Sequence, residues 1–218
     1  YYKVHWPGEE HHAGRGLRRS PLHEQLKAAG AVFGARFGWE RANWFTASDP
    51  SATDTPSFEG KPGWHGAVAA EVRAIREGVA LIDQTSFAKF ELSGPGAQAA
   101  LNRIAAADVS GAPGRAIYTQ LLNDRGGIEA DVTIQHRGEE DFLIVTGSGF
   151  GVRDGTWITR ALPADLKLRD VTNTLAVLNI CGPKARDVLA SVTDTDLSNR
   201  AFPFLAAREI VVGHAPAF

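Results

Sequence analysis

Ile117-Tyr118-Thr119-Gln120-Leu121-Leu122, Asn123-Asp124-Arg125-Gly126-Gly127 and Ile128-Glu129-Ala130-Asp131-Val132-Thr133-Ile134 read as one β-hairpin. Two apolar runs flank a polar break, and Gly-Gly supplies the positive φ that a tight reversal needs. Along the second strand Ile128, Ala130, Val132 and Ile134 fall on one face, and Glu129, Asp131, Thr133 and Gln135 on the other. One face is core and the other polar. From this pattern alone Asp131 is a carboxylate on the wet face of an antiparallel sheet.

Upstream, Val68, Val72, Ile75 and Val79 recur at helical spacing from His65, with Gly78 as the stop. Strands are expected at Val79–Ile82 and Phe87–Leu92, then a helix opened by Gly94-Pro95 with Ala97, Ala100, Leu101 and Ile104 as its apolar stripe. Downstream, Asp141–Thr146 is a continuous apolar strand and Trp157–Leu162 a short helix. Leu178-Asn-Ile-Cys-Gly182-Pro183 repeats the strand-Gly-Pro-helix pattern of Phe90–Leu101. Proline at the first helical position forfeits no hydrogen bond, and glycine lets the strand end turn sharply. Two such units predict an α+β fold of duplicated strand-Gly-Pro-helix units with mostly antiparallel sheets.

Residues 1–57 have a different texture, rich in Tyr, Trp and Phe, with one helix expected over Ser20–Gly30, Ser20 as its N-cap. Ser48–Ser57 reads as a surface linker and sets a boundary near residue 57.

The 23 Lys and Arg nearly balance the 25 Asp and Glu, which argues against a nucleic-acid partner. No apolar run approaches membrane-spanning length. The single Cys181 sits in an apolar run and reads as core. The seven histidines are too scattered for a metal cluster. Gly147-x-Gly149-x-Gly151 lacks the spacing and the βαβ setting of a dinucleotide site, and no helix is expected to open on it. There is no methionine, and Val211–Phe218 reads as the onset of another strand and turn, so a piece of a longer polypeptide is expected.

Gly78-Val-Ala-Leu-Ile-Asp83-Gln-Thr-Ser86, Gly94-Pro95, Ala107-Asp108-Val109, Gly114-Arg115-Ala-Ile-Tyr118-Thr and Leu122-Asn123-Asp-Arg-Gly126-Gly127-Ile-Glu-Ala-Asp131 resemble, in order and spacing, the folate-binding domain of the glycine-cleavage T-protein, an aminomethyltransferase. Ahead of it, Tyr2-Lys-Val-His5-Trp6-Pro7, Arg18-Arg-Ser20-Pro21-Leu22 and Gly38-Trp39-Glu40-Arg41-Ala-Asn43-Trp44-Phe45 resemble the connecting piece of flavin-dependent dimethylglycine and sarcosine dehydrogenases. The resemblance implies a segment 1–57 ending an FAD-dependent oxidoreductase region and a folate-binding domain 58–218 that continues beyond Phe218. It implies tetrahydrofolate as carbon acceptor, Asp131 as the catalytic group against the pterin, and Tyr118 and Phe87 as walls of that site. FAD is expected in an N-terminal part outside this sequence. The family's asparagine near the end of the next strand corresponds to about Gly147 here, so that polar contact is either lost or supplied by Thr146 or Ser148.

The implied parent oxidises a small N-methyl amine and passes the carbon to folate, in the cytoplasm or mitochondrial matrix, with no nucleic acid or membrane involved and an oligomer left open. The alternatives are a stand-alone aminomethyltransferase of the glycine cleavage type and a non-catalytic T-protein-like binding module.

Overall fold

A computed structural model describes Val4, Glu9, Glu10 and residues 12–218. The N-terminal resemblance carried by Tyr2–Lys3 and His5–Pro7 therefore lies largely outside the described residues. Contacts divide the chain into two units, residues up to Ser86 with Ala176–Ala185, and Phe87–Leu175 with Arg186–Phe218.

In the first unit, α1 (His23–Ala28) is shorter than expected. Ser20 Oγ accepts the Leu22 N–H at 3.2 Å and its carbonyl the His23 N–H at 3.1 Å, so Ser-Pro forms a turn that leads into the helix. Next come β1 (Ala31–Arg36) and β2 (Trp39–Phe45), an antiparallel hairpin the sequence reading did not foresee. Its turn uses Phe37 and Gly38, both at positive φ (52° and 82°), which suits the right-handed twist of the flanking strands. Trp39 and Trp44 are buried. Residues 49–57 carry no helix or strand.

Helix α2 (His65–Glu77) stops at Gly78 as expected, but its packed stripe differs. Val72 is 43% exposed, while half-buried Glu71 accepts the Phe45 N–H at 2.8 Å. Where β2 ends a backbone donor needs a partner, and a carboxylate on the neighbouring helix supplies it. β3 (Ala80–Asp83) completes this part of the unit.

The second unit is built on β4 (Ala88–Ser93), α3 (Ala97–Ile104), β5 (Arg115–Leu122), β6 (Ile128–Gly138), β7 (Asp141–Thr146), α4 (Gly151–Ala161) and β8 (Leu168–Asp170). The strands form one sheet in the order β5-β6-β7-β4-β8, each neighbouring pair antiparallel. Ile117, Leu121, Val132, Ile134, Phe142, Ile144, Phe90 and Leu92 meet Ala97, Ala100, Leu101 and Ile104 of α3 and Ile158 of α4 in one core. Both helices thus cover the same sheet face, and the α3 stripe is the one read from the sequence.

Helix α4 corrects the sequence reading. It spans eleven residues and opens directly on the Gly147–Gly151 loop, where only a short helix from Trp157 was expected. Gly151 and Gly155 lie one turn apart on its inner face. A Cβ on Gly151 would come within 2.8 Å of the Ala88 Cβ, and one on Gly155 within 2.9 Å of the Phe90 ring. They bring the helix backbone close to β4.

The chain then returns to the first unit as β9 (Leu178–Cys181), antiparallel to β3, and continues through Gly182-Pro183 to α5 (Ala185–Ala190). Gly94 and Gly182, the paired glycines of the internal echo, have φ of 115° and 114°. Each carbonyl accepts the N–H three residues on at 3.0 Å, so the echo is conformational as well as textual. β10 (Ile210–Val212) and β11 (Ala215–Ala217) form the closing hairpin.

Candidate functional site

On β5, Ile117, Thr119 and Leu121 are buried, and on β6 Ala130, Val132 and Ile134. Their alternates Tyr118, Gln120, Asp131 and Thr133 therefore share the sheet face away from α3 and α4. Gln120 pairs with Asp131 and Tyr118 with Thr133, which makes Tyr118 and Asp131 diagonal neighbours. The Tyr118 hydroxyl donates to Asp131 Oδ2 at 3.1 Å, and the ring is 61% exposed. The Asp131 carboxylate makes no other hydrogen bond among the described residues, so Oδ1 is open to a donor from outside.

The second acid of this strand is differently placed. The pairing slips between Leu121 and Leu122, where Leu122 meets Ile128 and Glu129 becomes the extra residue of a bulge. Its carboxylate accepts from Asn123 Nδ2 at 2.7 Å and pairs with Arg153 at 2.6 Å. Asn123 also organises the turn, its Oδ1 accepting the Arg125 and Gly127 N–H groups, each at 3.0 Å. Glu129 is committed to structure and Asp131 is not.

Phe87 stands apart from this pair. It is half-buried, one residue ahead of β4, and β4 lies two strands from β6, about 10 Å away at ordinary strand spacing. The face also holds groups that the sequence reading passed over. Lys89, in the alternation Ala88-Lys89-Phe90-Glu91-Leu92, reads as solvent-facing yet is fully buried. Towards its other end Arg137 bridges Glu91 and Asp141, each at 2.9 Å, and Arg169 also pairs with Glu91. Burial acts to raise the Glu91 carboxyl, but the two guanidinium groups outweigh it and the net shift is downward. That end of the face is a structural ion network.

A cleft of about 550 Å³ lies beside α4, lined by Glu129, Arg153, Trp157 and Arg160 among others, and by none of the three expected site residues. The Gly147–Gly151 loop does precede a helix. β7 and β8 are both antiparallel to β4 and so run parallel to each other, which makes β7–α4–β8 a crossover split by β4, contrary to the expectation that the loop lacks such a setting; Gly151, however, is taken up by contact with Ala88 of β4. No cluster of metal-ligating side chains occurs among the described residues. No helix of the described residues is long and apolar enough to cross a membrane.

A sequence model of the GCVT N-terminal domain matches residues 22–218. The chain belongs to this family. The GCVT match begins within the first unit, ahead of α1. Among curated proteins the chain is 41% identical over 217 residues to 4-methylaminobutanoate oxidase (formaldehyde-forming) of Paenarthrobacter nicotinovorans, covering 98% of this chain and 26% of that protein. It is 33% identical over 242 residues to human mitochondrial sarcosine dehydrogenase, covering 93% and 26%. The chain thus spans about a quarter of the length of these relatives. Among solved structures, the glycine cleavage system aminomethyltransferase T of Bartonella henselae superposes with a TM-score of 0.70 at 24% identity, over 89% of this chain and 48% of that one. This likeness establishes the GCVT α+β fold.

Proposed function

We propose that this chain is the tetrahydrofolate-binding, one-carbon-transfer part of a flavin-dependent enzyme that demethylates a small N-methyl amine. Residues 58–218 are its GCVT-type folate domain, and residues 1–57 the end of the oxidoreductase region. The family supports the domain type, and the names of the two relatives support the reaction. The observation that carries the site is the Tyr118–Asp131 pair, a carboxylate fixed at one oxygen and open at the other on an exposed face.

That geometry fits a pterin. A pterin edge presents neighbouring N–H donors, and an oriented carboxylate accepts them. Tyr118 holds the Asp131 plane, and Oδ1 receives the ligand. When a folate amine attacks the one-carbon unit it must shed a proton, and Asp131 is placed to orient that amine and to take the proton up. Phe87 adds apolar wall at the β4 side. For FAD the described residues offer no fit, because the Gly147–Gly151 loop lacks the dinucleotide spacing and its Gly151 is engaged in packing against β4, and no step is assigned to flavin within this chain.

The test is tetrahydrofolate binding by calorimetry on the intact protein. Asp131→Ala is expected to weaken binding by about 1.5–3 kcal/mol, the range for a hydrogen bond to a charged group. Unchanged affinity in a variant that melts like the wild type would remove Asp131 from the site.

A further inference from the structure

The position opposite Asp131 on the far side of β6 has no side chain. Thr133 pairs with Val145 and Ala88 with Thr146. Carried on in that register, Gly147 comes level with Asp131 and, by the alternation of the strand, on its face. Phe87 and Gln120 end the same line across the sheet. The gap left by Gly147 is filled from the loop. A Cβ there would lie 3.1 Å from Cδ2 and 3.6 Å from Cε2 of Phe150. The Phe150 N–H returns to the Gly147 carbonyl at 3.0 Å, a tight turn that carries the ring back over the glycine. The ring itself is 58% exposed.

An aromatic side chain this open, held over a glycine and one strand from an unspent carboxylate, is a platform for a flat ligand. We infer that Phe150 is a specificity-determining residue of the Asp131 site, stacking on the planar ring of the ligand, and that Gly147 leaves it room, since a Cβ there would crowd the ring. The inference rests on the folate reading of Asp131. Gly147 has no positive φ, so Gly147→Ala carries no backbone strain and acts through the ring alone.

Tetrahydrofolate binding is measured by calorimetry on the intact protein for the wild type, Asp131→Ala, Phe150→Ala, Phe150→Tyr, Gly147→Ala and the Gly147→Ala/Phe150→Ala double variant, each with its melting temperature. Phe150→Ala is expected to bind about tenfold more weakly, the order of one aromatic stack. Phe150→Tyr should stay within about twofold, because the ring is kept. Gly147→Ala should weaken binding on its own yet add nothing to Phe150→Ala, since both act on one ring. Should Phe150→Ala fail to fold, the comparison of Gly147→Ala with wild type decides. If Phe150→Ala and Gly147→Ala bind like wild type while Asp131→Ala does not, the platform is refuted and the folate site stands. If the wild type does not bind tetrahydrofolate, both readings fall.

Discussion

Among single residues, Glu40 in the first unit is the most constrained acid. Arg15 donates to both its oxygens, at 2.8 and 2.6 Å, and the Gly16 N–H reaches it at 2.6 Å. The Arg15 hydrogen bond is the main cause that holds the Glu40 carboxyl at about 2 against an ordinary 4.5, while burial opposes it. A carboxyl depressed on folding stabilises in full above its unfolded value and loses that contribution as pH falls towards the folded one. Glu40→Gln should therefore cost on the order of 2–3 kcal/mol at pH 7, allowing for the part-exposed Arg15, and little at pH 2. Urea unfolding at both pH values checks this, and an equal loss at each would mean that shape, not charge, is what Glu40 provides. The face that Asp131 takes was legible in the sequence because its neighbours alternate cleanly and one face of the hairpin is buried, while its role was implied by the resemblance alone. Phe150 was not, because its place depends on how β7 lines up with β6 and on a loop that doubles back, and neither leaves a periodic trace. Lys89 was passed over for a related reason: alternation tells which face a residue takes, not whether that face is covered.

At the scale of elements, the two Gly-Pro turns share a backbone conformation but not a setting. A Cβ on Gly182 would lie 2.6 Å from the Ile75 carbonyl oxygen and would also run into that of Gly78, whereas one on Gly94 meets only the Leu166 side chain, at 3.7 Å. Gly94→Ala should cost about 1–2 kcal/mol for its left-handed backbone alone. Gly182→Ala adds a clash with fixed main chain and should cost more than about 3 kcal/mol. Thermal melts of the two variants test the ranking, and equal losses would show that the α2 end can yield. The sequence revealed that the turns were alike, since glycine and proline mark them. It did not reveal the β1–β2 hairpin, whose run Trp39–Phe45 mixes large aromatics with charges on both faces, nor the true length of α4, whose glycines serve contact and not interruption.

For the molecule as a whole, the proposed function carries a consequence for the carbon: an oxidised N-methyl group hydrolyses to formaldehyde unless an acceptor is near, and a folate domain tethered to an oxidising part would raise the local acceptor concentration. Asp131→Ala in the intact protein is expected to leave flavin reduction by substrate nearly unchanged. Product should move from methylene-tetrahydrofolate to free formaldehyde, measured together at saturating tetrahydrofolate. If flavin reduction collapsed and the carbon partition held, Asp131 would belong to the oxidation chemistry or to the fold. The strand order β5-β6-β7-β4-β8 also bears on how the sheet is assembled. Its β5–β6–β7 meander is local in sequence and can pair early, but β4, made before all of it, pairs with β7 at a separation of more than forty residues and with β8 at about eighty. Closing such loops is slow relative to zipping a hairpin. During synthesis β4 therefore leaves the ribosome ahead of every strand it pairs with, a strand with one apolar face and both edges open in the interval, and α3, formed directly behind it, is the first part of its core available to shelter it.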